Sequence, residues 1–259
     1  MPAPVNELKK RLLAGEQTIG CWLSLADSYA AEIAGRCGFD WCLVDGEHAP
    51  NDLRSTLAQI QALAGTETPA AVRPPIGKAY ILKQLLDIGC QSFVIPMVED
   101  RQQAEDIVRA LRYPPEGIRG VGAATARASG FNSFPDYLQT ANREICLIVQ
   151  IESREGLANL DEIAAVDGVD GVFIGPSDLS ASLGHLGNPN APEVVAAIDD
   201  ALDRIAAAGK PSGIFAINPD DARRYLGRGV AFVAVASDIN SLTNGLRDRA
   251  ASLKPDHKA

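Results

Sequence analysis

Several charged residues fall at the ends of short apolar runs, and their types limit the chemistry the chain can do. The run ICLIVQIE ends at Glu152, two residues after Gln150. GVFIGPSD ends at Asp178, and WCLVD ends at Asp45, with Glu47 and His48 following in the turn DGEH. PAAVR ends at Arg73. An acid that closes a mostly apolar run must be paired or must bind something, because a lone buried charge is costly. Glu152 could pair with Arg154 or another arginine, and Asp178 could cap the short helix that begins LSASLG. Taken together they are two hard oxygen donors with no thiolate and no second histidine nearby. Such a pair suits Mg²⁺ or Mn²⁺, with coordination positions left for water and substrate. Arg73 is either a structural guanidinium or an anion clamp.

His48 is one of three histidines. It is an acid–base candidate or a surface turn residue. His185 lies in a Gly/Asn/Pro loop and reads as structural, and His257 lies in a charged tail. The lysines stand at 9, 10, 78, 83, 210, 254 and 258, and none closes an apolar run. A Schiff-base enzyme needs a lysine at the site, so carbanion stabilisation is expected to fall to a metal instead. The segment Gly120–Val121–Gly122–Ala123–Ala124–Thr125 loosely resembles a dinucleotide loop. It follows no strand pattern, and no nucleotide cofactor is expected.

The elements that must position these residues repeat regularly. Eight apolar runs occupy 19–25, 41–45, 69–73, 92–98, 145–152, 171–178, 212–216 and 232–238. They lack polar alternation, as strands buried on both faces do. Amphipathic stretches such as NDLRSTLAQIQALAG and PEVVAAIDDALDRIAAAG separate them, several ending in glycine. Eight strand–helix units predict one (β/α)8 barrel over residues 1–259, preceded by a helix from about Val5 to Ala14. Barrel chemistry gathers at the C-terminal strand ends, where the residues above fall. The longest irregular stretch is 113–144, and periodicity does not say which end of the barrel it serves.

With 46% hydrophobic residues the chain can fill a large core. A net charge of −9 disfavours nucleic acid and anionic membranes as partners. No apolar run reaches the roughly 18 residues a membrane span needs, and the N-terminus lacks a signal-peptide pattern. Five cysteines without a CxxC read as reduced thiols of a cytoplasmic protein.

Beyond these readings, the chain resembles the HpcH/HpaI family of metal-dependent pyruvate aldolases. The resemblance rests on WCLVDGEHAPND, AAVRPP, RYPPEGIRGVG followed by ARAS, VQIES, and FIGPSDLSASLG with GNP after it. It runs from the first strand past the sixth. It implies an α/β TIM barrel that reversibly cleaves 4-hydroxy-2-oxo acids to pyruvate or hydroxypyruvate and an aldehyde. Glu152 and Asp178 would hold Mg²⁺, Mn²⁺ or Co²⁺. Gln150 and the Gly175–Pro176–Ser177–Asp178 turn would hold the 2-oxo acid, with the Ser177 and Asp178 N–H groups on its carboxylate. Arg73 would contact the keto or enolate oxygen, and Asp45 would orient Arg73. His48 paired with Asp87 would be the acid–base pair, Asp87 being a role only the resemblance supplies. Members are homo-hexamers, trimers of dimers that exchange a terminal helix. On the aldehyde side Phe215 and Trp22 are candidates, each equally readable as core. Arg119 or Arg127 could bind an acceptor carboxylate or reach a neighbouring subunit. The alternatives are a CoA-ester lyase of the citrate-lyase β type and a barrel that binds a keto acid without turning it over.

Overall fold

The eight runs form eight parallel strands: β1 (Thr18–Leu23), β2 (Trp41–Asp45), β3 (Ala70–Arg73), β4 (Ser92–Ile95), β5 (Cys146–Ile151), β6 (Gly171–Ile174), β7 (Ser212–Phe215) and β8 (Phe232–Ser237). They pair in sequence order and β8 returns to β1, so the sheet closes into a barrel with helices between the strands. The structure, a computed structural model, describes residues 1–254. His257 and Lys258 lie outside the described residues. Every residue of β2, β4, β5 and β6 is buried, which accounts for their lack of polar alternation.

β4 and β6 stop furthest short of their apolar runs. β4 ends at Ile95 because Pro96 has no N–H for the ladder and Met97 turns to a positive φ of 53°. β6 ends at Ile174 because the chain enters a helix at Pro176–Ser182.

Aromatic side chains fill the barrel interior. Trp22, Trp41, Phe173 and Phe232 share one buried cluster, with Trp41 stacked on Phe232 at 3.7 Å between ring centroids. Gly20 is required there, since a Cβ would stand 2.2 Å from the Trp41 indole. The N-terminal helix spans Glu7–Leu13, slightly shorter than its pattern predicts, because Asn6 caps it by accepting from the Lys9 N–H. Leu8 and Leu12 of this helix join the interior cluster. Asn6 also donates to the Gln91 carbonyl and Ser92 Oγ at the start of β4. The helix therefore covers the N-terminal end of the barrel.

The irregular stretch at 113–144 belongs to the covered end. It joins the helix Arg101–Leu111 to the start of β5 and contains short 3-10 turns at Ala123–Thr125 and Arg127–Ser129. Its residues Tyr113, Ala123, Tyr137 and Ala141 pack with Ala3. The last helix, Asp238–Leu253, has no buried residue and exposes Ile239, Leu242, Leu246 and Leu253. Among the described residues no helix is long and apolar enough to cross a membrane.

Candidate active site

Asp45 and Arg73 end adjacent strands and are register partners. Both are buried, at 2% and 6% exposure. Arg73 Nε and Nη2 each donate to one Asp45 oxygen at 2.8 Å. Asp45 also accepts from the Glu47 and His48 N–H groups, which wraps the DGEH turn around its carboxylate. Burial alone would raise the Asp45 pKa, but the hydrogen bonds and charge of Arg73 outweigh it and hold the group below its ordinary value.

Glu47 completes the clamp. Its Oε2 lies 2.9 Å from Arg73 Nη1, and the Trp22 ring lies 5.1 Å from the guanidinium carbon. Burial, partly offset by Arg73, raises the Glu47 pKa. Sequence reasoning quoted Glu47 but gave it no role. Its signal was an acid two residues beyond a strand end, beside a histidine that drew the attention.

Glu152 is the first residue after β5 and is 2% exposed. It makes no ion pair with Arg154 among the described residues. Its Oε1 accepts from the Met97 N–H at 2.9 Å, and its Oε2 accepts from Gln150 Nε2. Burial pushes its pKa up to about 7; the Met97 bond opposes this, and the Glu47 and Asp178 charges add to it. Asp178 does not cap a helix. Gly175 occupies the cap position of Pro176–Ser182, and Asp178 sits in the first turn, exposed at the mouth. That first turn leaves the Ser177 and Asp178 N–H groups without acceptors inside the helix.

The donor set fits a divalent cation. Asp45, Glu47, Glu152 and Asp178 bring four carboxylates around one guanidinium. Gln150 Oε1 is a buried acceptor without a hydrogen-bond donor, and Glu47 Oε2 meets Arg73 only as an ion pair. A cation between Glu152 and Asp178 would relieve both the repulsion and the raised pKa of Glu152. Gly175 keeps that space open, since a Cβ there would stand 2.2 Å from Glu152 Oε2 and 2.7 Å from Gln150 Nε2. Pro176 opens the helix that carries Ser177 and Asp178. Trp22 and Phe215 meet edge to face at 5.2 Å below this group, Trp22 buried and Phe215 half-buried.

Other sequence candidates stand elsewhere. His48 is exposed at the mouth, 3.7 Å from Glu47. Asp87 ends the helix Ala79–Asp87, which starts at the open end of the barrel and runs roughly 13 Å away from it. One chain therefore does not pair His48 with Asp87. Asp87 instead accepts from Arg119, whose guanidinium packs against Tyr113 and Tyr137. Arg127 donates to the Ile88 carbonyl. Both arginines belong to the covered end, so neither reaches an acceptor at the mouth of its own chain. His185 bonds Glu193 on the surface. Lys9 and Lys210 bond carbonyls of Ile145 and Val169, which precede β5 and β6 at the covered end. Four of the five cysteines are buried and all five are free, but Cys37 is exposed.

The chain as a whole is similar to known proteins. The HpcH/HpaI aldolase/citrate lyase family matches residues 18–245. A hydroxypyruvate/pyruvate aldolase of Pseudomonas aeruginosa is 58% identical over 98% of this chain and 95% of its own length. A 4-hydroxy-2-oxo-heptane-1,7-dioate aldolase of Klebsiella pneumoniae is 52% identical over 95% of this chain and 93% of its own. The crystal structure of an HpcH/HpaI aldolase/citrate lyase family protein from Burkholderia cenocepacia superposes with a TM-score of 0.93 at 39% identity, covering 97% of this chain and all of that one. With a family model that matches most of the chain, relatives more than half identical over nearly its whole length and a shared fold, the chain belongs to the HpcH/HpaI aldolase/citrate lyase family.

Proposed function

We propose that the chain is a divalent-metal-dependent aldolase that cleaves 4-hydroxy-2-oxo acids to pyruvate or hydroxypyruvate and an aldehyde, and catalyses the reverse addition. The observation that carries this is the Arg73 guanidinium, fixed on two sides by Asp45 and Glu47, at the same mouth as the buried Glu152 and the exposed Asp178.

Cleavage needs a base on the 4-hydroxyl and a place for negative charge at the 2-oxo oxygen. As the C3–C4 bond breaks, its electrons pass into the C2 carbonyl and an enolate forms. Asp45 takes one edge of Arg73 and Glu47 pairs with Nη1, and the N–H groups that neither carboxylate takes are offered to that oxygen where its charge develops. A divalent ion held by Glu152 and Asp178 supplies Lewis acidity at the 2-oxo acid. The Ser177 and Asp178 N–H groups offer donors to the substrate carboxylate, with Gln150 beside them. Trp22 supports Arg73, and Phe215 bounds the mouth on the β7 side. Protonation of the enolate at C3 releases pyruvate.

His48 is the acid–base group of this reading, with Asp87 as its partner. The two can meet only between copies of the chain. The exposed apolar residues of Asp238–Leu253 support such an assembly, a hexamer built from helix-exchanging dimers. Five free cysteines support a cytoplasmic setting.

The test is cleavage of 4-hydroxy-2-oxoheptanedioate before and after metal removal. Chelation abolishes turnover, and Mg²⁺, Mn²⁺ or Co²⁺ restores it. Full activity of metal-free protein overturns the reading.

A further inference from the structure

Glu152 is aimed by a peptide that the chain holds in an unusual conformation. Met97 has φ 53°, a region that strains a residue with a side chain and persists only where its surroundings enforce it. The reward is specific: this geometry directs the Met97 N–H to Glu152 Oε1 at 2.9 Å.

The surroundings that enforce it centre on Gln103. Its Nε2 donates to the Met97 carbonyl at 3.0 Å, and its Oε1 accepts from the Glu99 N–H at 2.9 Å. Gln103 is itself fixed, because its own N–H is taken by Asp100, which caps the helix Arg101–Leu111. A single side chain therefore bridges both sides of the turn that follows β4.

We propose that Gln103 is a positioning residue for the metal site, acting through the Met97 peptide to hold Glu152 in its ligating orientation. It touches neither substrate nor ligand oxygen. It locks the left-handed turn, the turn fixes the N–H, and the N–H leaves Glu152 one direction in which to present its remaining lone pairs. This inference rests on Glu152 being a metal carboxylate.

The experiment measures Mn²⁺ binding to the metal-stripped full-length protein by the EPR signal of free Mn²⁺, with melting temperature recorded beside it. Gln103→Met removes both hydrogen bonds at nearly constant length, and Gln103→Ala repeats the test should the first variant fold poorly. Loss of a direct partner of a metal ligand weakens binding about 10–100-fold. Gln103 acts one step further out, so the expected weakening is about three- to tenfold. Gln102→Met, on the exposed neighbouring residue, keeps the parent dissociation constant. A Gln103 variant that binds Mn²⁺ within twofold of the parent overturns the proposal, as does a Gln102 variant that weakens equally. Failure of the metal reading looks different: the parent and Glu152→Gln then bind Mn²⁺ alike.

Discussion

Arg73 and Asp45 face each other across the β2–β3 ladder and are joined by two parallel 2.8 Å hydrogen bonds. The pair is buried, so removing Arg73 strands Asp45, and removing Asp45 leaves Arg73 with Glu47 alone. Asp45→Ala is expected to destabilise the protein by about 3–5 kcal/mol. For a chain of this size that lowers the melting temperature by roughly 10 °C, which calorimetry would show. Arg73→Lys keeps the charge but loses the fork. It should retain most of the stability while kcat falls about 10²–10³-fold, the cost of removing an oxyanion donor. Near-parent turnover in the lysine variant would remove Arg73 from the oxygen contact.

The raised pKa of Glu152 gives the metal-free protein a distinctive pH response. Its ordinary value is 4.5 and its folded value about 7. Between these, the folded state holds a proton that the unfolded state has lost, so stability falls as pH rises through that window. The cost is fully present above pH 7 and amounts to about 3 kcal/mol. Glu47, raised for the same reason, acts in the same direction. Denaturant unfolding of metal-free protein at a series of pH values should show the decline, and Glu152→Gln should flatten most of it. An unchanged slope in that variant would place the proton elsewhere.

Gly175 has an ordinary φ of −97°, so alanine is allowed by its backbone. Its Cβ is not allowed by its neighbours, Glu152 and Gln150. Gly175→Ala should therefore fold normally by circular dichroism yet lose at least tenfold in metal affinity. Calorimetric titration of metal into the variant decides this, and parent-like affinity would show that Glu152 can move aside freely.

Leu242 and Leu246 lie one turn apart on a helix that buries nothing within its own chain. Leu242→Glu with Leu246→Glu should shift the protein to a smaller species by size-exclusion chromatography with light scattering. Turnover should fall with it if Asp87 of one copy serves His48 of another. A parent-sized assembly would show that this face is not the contact.

The barrel and most of the mouth were legible because buried parallel strands write unbroken apolar runs, and a polar residue ending such a run is conspicuous. Asp45, Arg73 and Glu152 stood out for that reason. Asp178 stands in the first turn of a helix and not at a strand end, since GPSD continues an apolar run in sequence while Pro176 starts a helix in space. Glu47 was overlooked because its burial comes from the folded turn and not from a run. The end of the barrel served by 113–144 depends on which secondary elements it joins, and periodicity is silent on that. Met97 carries no sequence sign of its left-handed backbone, a conformation that glycine would normally announce.

Asp238 closes the barrel at its mouth. Its carboxylate accepts the N–H groups of Ser24 and Leu25, tying the end of β8 to the end of β1. Every carboxylate proposed around the metal and Arg73 lies between residues 45 and 178, yet the ring that holds them is shut by a residue made some 60 positions later. During synthesis the mouth has all its chemical groups long before it has its last wall. A chain released early would carry the full catalytic inventory on an open sheet, with two unpaired edges and no geometry to use it.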